Sequence, residues 1–185
     1  RLTMRIPLSF WLIVVMAGVV FTLRGVSAWC CGFPMFGVGL KKKADALMQH
    51  NLEKVKAKGV RAAVFTCPSC YHTWKERVHT EIEVFHATQF IKKLIDEGKI
   101  RFKRTPTKVT YHDPCDLGRA SGVYDAPRQI LKAIPAVELV EMQYNREQCR
   151  CCGGGGDLEM VNPDLSASLA KAKIEEIKAT GVELV

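Results

Sequence analysis

Acidic residues are scarce beside basic ones: 19 Asp and Glu stand against 27 Lys and Arg, a net charge of +8 over 185 residues. An excess of that size invites a nucleic-acid reading. What that reading needs, a run of aromatic rings interleaved with the cations for bases to stack on, is missing. The basic residues are instead spread along Lys41, Lys42, Lys43, Lys54, Lys56 and Lys58 and over Lys99, Arg101, Lys103 and Arg104. They read as solvated helix faces and a linker, so nucleic acid is excluded as a partner. A face that speeds encounter with an acidic electron carrier or an anionic membrane surface stays open. Gly153 to Gly156 form a glycine run without a nucleotide-binding fingerprint, which is weak support for a phosphate cradle. Apolar residues are not scarce: at 48% they suffice for a core.

Eight cysteines are present. Their spacing argues against a secreted disulfide scaffold. Cys30-Cys31-Gly32 and Cys151-Cys152-Gly153 repeat a pair whose members rarely bond to each other, because the Cβ geometry of neighbours forbids an unstrained disulfide. After the first pair, 35 residues pass before Cys67-Pro68-Ser69-Cys70; before the second, 35 residues follow Cys115. Thiolates at such spacings in an α/β chain serve a metal or redox centre in a reducing compartment. Four or five of them suit iron-sulfur clusters or zinc.

These motifs resemble the cysteine-rich CCG domain. That family includes the catalytic subunit of heterodisulfide reductases and iron-sulfur subunits of glycolate, lactate and anaerobic glycerol 3-phosphate dehydrogenases. Its repeat is a lone cysteine, then Cys-Cys-Gly, then Cys-x-x-Cys. The first copy here has Cys30, Cys31, Cys67 and Cys70 but no earlier cysteine; the second has Cys115, Cys151 and Cys152 but no later Cys-x-x-Cys. Lys58-Gly59-Val60 aligns with Thr180-Gly181-Val182 at an offset of 122, which would start the missing pair near position 189. The chain therefore reads as a fragment cut at both ends, with a degenerate second site as the alternative.

The expected fold class is α/β: two similar Rossmann-like halves with mostly parallel sheets, related by the internal repeat, each truncated at one end. The expected divisions are an apolar lead segment (residues 1–28), a first unit (29–105) and a second unit (106–185). Expected helices are 41–58, stopped by Gly59, with Ala44, Leu47, Leu52 and Val55 on one face, then 69–77, 88–97, 127–134 and 164–180. Expected strands are 61–66, 83–86, 108–112, 137–142 and 182 onward. Cys67 and Cys115 then fall just past strand C-terminal ends, where α/β sheets gather ligands. Ile6 to Leu23 carries no charge over 18 residues and is flanked by Arg5 and Arg24. It imitates a membrane span or, with Val26-Ser27-Ala28, a secretory signal. A buried strand over 17–23 is the favoured reading, since buried parallel strands are also continuous apolar runs.

The resemblance implies noncubane [4Fe-4S] clusters held by Cys30, Cys31, Cys67 and Cys70 and by Cys115, Cys151 and Cys152. It implies an oxidoreductase subunit of heterodisulfide-reductase type that passes electrons to a small disulfide, inactive as this fragment alone. An electron relay of a membrane-associated glycolate, lactate or glycerol 3-phosphate dehydrogenase is the first alternative. A zinc-stabilised module without redox chemistry is the second. Implied partners are flavin or cubane iron-sulfur subunits and a membrane cytochrome or quinone-linked subunit. The implied place is the cytoplasm, with association at the inner membrane face open. His112 is the candidate proton donor, balanced against a plain strand end, and Asp113-Pro114 against a turn. Cys149 reads as a spare buried thiol rather than a substitute ligand, Trp74 as helix packing, and Arg119 as either a carboxylate binder or a solvated side chain.

Overall fold

In the computed structural model, residues 5–22 and 29–185 are described. Their contacts divide them into two units, Arg1–Arg101 and Phe102–Val185.

The first unit opens with α1 (Arg5–Met16). Residues 17–22 of the buried strand expected over 17–23 are instead a turn at 17–18 followed by coil, and the apolar residues ahead of them are helical. Leu23 and the Val26-Ser27-Ala28 signal imitation lie outside the described residues. The physical reason is Gly18, which takes φ 67. Its N–H bonds Val15 O at 3.0 Å and the Val19 N–H bonds Val14 O at 3.2 Å, the paired closure of a helix that ends on a left-handed residue. Among the described residues no helix is long and apolar enough to cross a membrane.

A short α2 (Phe33–Gly37) and α3 (Lys41–Lys56) follow. The buried face of α3 is Ala44, Met48, Asn51 and Val55: Ala44 and Val55 are buried as expected, Leu52 packs at the edge of the core, and Met48 and Asn51 fill the stripe between them. The four buried residues are i, i+4, i+7 and i+11, one helical stripe. Then come β1 (Ala62–Phe65), α4 (Pro68–Arg77), β2 (Glu83–His86) and α5 (Ala87–Asp96). The two strands pair in parallel with Ala62 opposite Glu83 and Phe65 opposite His86. Their crossover is α4, as parallel pairs require. Cys31, Val55 and Trp74 form the buried centre, ringed by Phe33, Leu52, Phe65 and Val84.

The second unit has β3 (Thr107–Val109), α6 (Asp125–Ala133) and β4 (Val137–Leu139), then α7 (Leu158–Val161) and α8 (Pro163–Lys178). A single 3₁₀ turn occupies Arg146–Gln148. β3 pairs β4 in parallel from Thr107 opposite Val137 to Val109 opposite Leu139. On its other side Val109 bridges Leu184, the only part of the expected terminal strand that pairs among the described residues. Asn162 caps α8 by accepting the Leu165 N–H at 3.0 Å, and Pro163 fills the first helical position, where no amide partner is needed. Leu117 and Met142 are each 1% exposed and anchor this core. The architecture is α/β with short parallel strand pairs in both units.

Candidate functional site

In the first unit, β1 feeds Cys67, the N-cap of α4, and Pro68 opens the helix so that Cys70 falls in its first turn. The positive helix end favours thiolate there. Cys70 packs into the same core as Cys31, and its thiol hydrogen-bonds the sulfurs of both Cys31 and Cys67. That bond holds Cys31 and Cys67 down to about 6 each. The Cys70 proton is held correspondingly tightly, first by Cys31 and then by Cys67. Cys30 also hydrogen-bonds Cys31. The four cysteines of this copy are thus linked in a chain of sulfur contacts, Cys30 to Cys31 to Cys70 to Cys67, rather than around one point. Cys30 and Cys67 are exposed, so the group opens to solvent.

The glycine after the pair has two jobs. Its N–H points at the Cys30 sulfur at 3.5 Å, the kind of backbone donor that tunes a thiolate ligand. At φ 89 it also lies against α3, where a Cβ would come within 3.1 Å of Ala44 O. Only a residue without Cβ fits easily in both respects.

The second unit repeats this turn. The Gly153 N–H meets the Cys151 sulfur at 3.3 Å. At φ 78 a Cβ there would stand 2.3 Å from Ser166 O in α8. The Ser166 hydroxyl donates back to Gly153 O at 2.8 Å. Cys115, Cys151 and Cys152 are exposed and near enough for their charges to be felt at Cys115. Burial first, then the charge of Asp116, pushes the Cys115 thiol up.

Cys149 is buried beneath this surface. Its sulfur lies 3.3 Å from His112 Nδ1 and 3.9 Å from Lys173 Nζ. Burial, aided by Lys173, lowers the His112 pKa. Arg119 is exposed, and one of its guanidinium nitrogens ties down backbone, donating to Cys149 O at 2.7 Å and Glu147 O at 3.2 Å.

Asp113 is also fixed. Its two oxygens take paired 2.7 Å bonds from Arg128, and one accepts the Arg146 N–H at 2.8 Å. Arg128 turns its remaining face to Glu141 at 2.7 Å and 2.9 Å. Burial alone would raise the Asp113 carboxyl, but the Arg128 and Arg146 bonds hold it below its ordinary value. This network fixes the loop that leads into Cys115. Neither Arg128 nor Glu141 was legible as a site residue. Asn51 was missed as well: its side chain binds Trp29 and Cys30 backbone. Trp74 is core packing, 2% exposed and 5.1 Å from the Phe65 ring.

Among the described residues no three His, Cys, Asp or Glu surround one point as a single metal ion requires. That arrangement gives the zinc alternative no support. Spread sulfur donors with backbone N–H groups aimed at them suit a larger sulfur-bridged cluster.

The cysteine-rich CCG domain family matches residues 12–75 and 109–185. The chain belongs to this family. It is 37% identical over 178 residues to a subunit of the dihydromethanophenazine:CoB–CoM heterodisulfide reductase of Methanosarcina acetivorans, covering 91% of this chain and 44% of that protein. It is 36% identical over 159 residues to a subunit of the fumarate reductase (CoM/CoB) of Methanothermobacter marburgensis, covering 84% and 31%. With the EtfAB:quinone oxidoreductase of Syntrophomonas wolfei it shares 38% over 144 residues, covering 76% and 20%. The CCG chain thus spans less than half the length of these relatives, which are named as oxidoreductases or their subunits.

Proposed function

We propose that this chain is the cysteine-rich part of an iron-sulfur redox subunit of heterodisulfide-reductase type, delivering electrons to a small disulfide. Its units are residues 29–105 and 106–185, two Rossmann-like halves of one repeated design. The observation that carries the reading is the meeting of Cys30 and Cys31 with Cys67 and Cys70 from two stretches of chain far apart in sequence. These four would hold one noncubane [4Fe-4S] cluster, and Cys115, Cys151 and Cys152 the other. When bound, the clusters would supply single electrons at a sulfur-accessible surface.

The chain's own residues bind and orient. Cys67 sits at a helix N-terminus that favours thiolate, and Gly32 and Gly153 direct an N–H at the first sulfur of each pair. His112 is the proposed proton-moving residue. Its Nδ1 is engaged with Cys149, so the proton would move at Nε2. Asp113 holds the preceding strand and the Cys115 loop in register through Arg128.

The partners proposed are flavin or cubane iron-sulfur subunits and a membrane cytochrome or quinone-linked subunit, with the assembly in the cytoplasm at the inner membrane face. The similarity to a quinone oxidoreductase supports a second reading, an electron relay toward quinone with no disulfide chemistry. The test is anaerobic preparation of the chain within its full-length protein, iron and sulfide analysis, reduction, and titration with thiol disulfides. Disulfide-dependent reoxidation is expected. Iron without reoxidation by any disulfide selects the relay; a colourless, iron-free protein overturns both.

A further inference from the structure

The helix behind each cysteine pair touches the chain twice, at matching places. In the first unit Gly32 rests on Ala44 of α3. In the second Gly153 rests on Ser166 of α8. Seven residues further along each helix, two turns on the same face, stands a buried polar residue: Asn51 at 2% exposure and Lys173 at 5%. Both reach forward to the segment just before the pair.

Asn51 uses its amide at both ends. Oδ1 accepts the Trp29 N–H at 3.0 Å, and Nδ2 donates to Trp29 O at 3.2 Å and Cys30 O at 3.0 Å. Trp29 is held a second time by stacking on His50, centroid to centroid 3.5 Å. This segment belongs to no helix or strand, so the amide stands in for the missing backbone ladder. Lys173 reaches Cys149 Sγ at 3.9 Å while its charge is met by Glu176 at 2.7 Å. A burial so complete is costly for either side chain unless its bonds are made.

We propose that Asn51 and Lys173 are positioning residues. Each sets the chain ahead of its cysteine pair, so that the pair is presented to its site before any metal is bound. Asn51 does so through backbone bonds. Lys173 does so through the Cys149 thiol and a buried ion pair. The metal ligands at stake rest on the cluster reading above; the clamping itself does not.

The test uses the metal-free, reduced full chain and the rate at which iodoacetamide modifies each cysteine, read by peptide mass. Asn51→Ala should speed Cys31 modification about tenfold or more, the loss of three small hydrogen bonds, and leave Cys149 within about twofold. Lys173→Met should speed Cys149 by a similar factor when rates are compared on the high-pH plateau, where the thiol is fully ionised and the loss of the Lys173 charge no longer slows it, and should leave Cys31 alone. Asn51→Leu separates bonding from packing: it should behave like Asn51→Ala, and wild-type rates in it would overturn the proposal.

Should every cysteine of a variant accelerate together, the wild-type chain decides by hydrogen exchange. The Trp29 amide, in a residue 54% exposed, is expected to exchange about a hundredfold slower than a free peptide. Free-peptide exchange there would overturn the proposal. In iron-loaded protein, Asn51→Ala should change the electron paramagnetic resonance signal of one cluster only. A wild-type protein that takes up no iron refutes the cluster reading, and the modification rates still judge the clamps.

Discussion

The two units present a cysteine pair by the same glycine turn but support it by different means. The first leans on an apolar centre, Cys31 with Val55 and Trp74, and its clamp is a neutral amide. The second leans on buried charge: Arg128 between Asp113 and Glu141, and Lys173 with Glu176. An apolar support loses strength in proportion to area removed. A charged support fails abruptly, because deleting one partner strands the other in a low-dielectric site. One backbone turn therefore tolerates two energetic foundations.

Mutations can break this contrast. The largest effects belong to the two foundations themselves. Trp74→Ala should cost about 3–5 kcal/mol in the first unit, a cavity cost. Arg128→Ala should cost a similar amount in the second, an unpaired-carboxylate cost. Denaturant melts followed by hydrogen exchange at β1 and β3 would assign each loss to its unit. Equal losses in both units from either variant would refute the contrast. Replacing Asp113 and Arg128 together by Leu and Met should recover a large part of the second loss, whereas no partner change rescues Trp74→Ala.

The glycine turns come next. Gly153→Ala puts a Cβ 2.3 Å from a backbone carbonyl, and Gly32→Ala puts one at 3.1 Å. Both also force a side chain into the left-handed region, roughly 1–2 kcal/mol. Overpacking adds about 1–3 kcal/mol at the tighter position, so Gly153→Ala should be the more damaging in a thermal melt. A reversed order would mean that α8 yields more readily than α3.

Acid should separate the units more gently. His86 caps α5 with its unprotonated Nδ1, accepting the Thr88 N–H at 3.3 Å. Burial holds it down to about 4. Because the folded value lies below the unfolded one near 6.5, the unfolded chain binds the extra proton first. Stability is then full above about 6.5 and falls as pH drops toward 4, by up to roughly 3 kcal/mol. His112 shifts the same way in the second unit. Melting from pH 7 to pH 4.5 should cost the first unit more, and His86→Gln should flatten that slope. A slope unchanged in that variant would remove His86 from the account.

What the sequence made legible follows from how local each signal is. The strand 83–86 appears with the expected bounds because its run, Glu83-Val84-Phe85-His86, ends at a capping box read within four residues. Cys67 at a helix start is equally local, since Pro68 both ends the strand and opens the helix. The apolar lead misled because a continuous apolar run has no period; one glycine, Gly18, decided it. The Asp113–Arg128–Glu141 cluster was invisible because its members lie on a helix and two loops, 13 and 15 residues apart. An arginine in such a helix looks solvated until the loop above it is folded. Asn51 escaped for the same reason: 21 residues separate it from Cys30.

The seat of each Cys-Cys-Gly turn on its helix has a consequence for how these domains diverge. From Gly32 to Ala44 is 12 residues and from Gly153 to Ser166 is 13, yet the contact is made both times. The connecting stretch, which holds α2 in one unit and α7 in the other, therefore accommodates a change of one residue while the contact of turn with helix is kept. Insertions accumulating between them would alter what surrounds the sulfurs without moving the sulfurs.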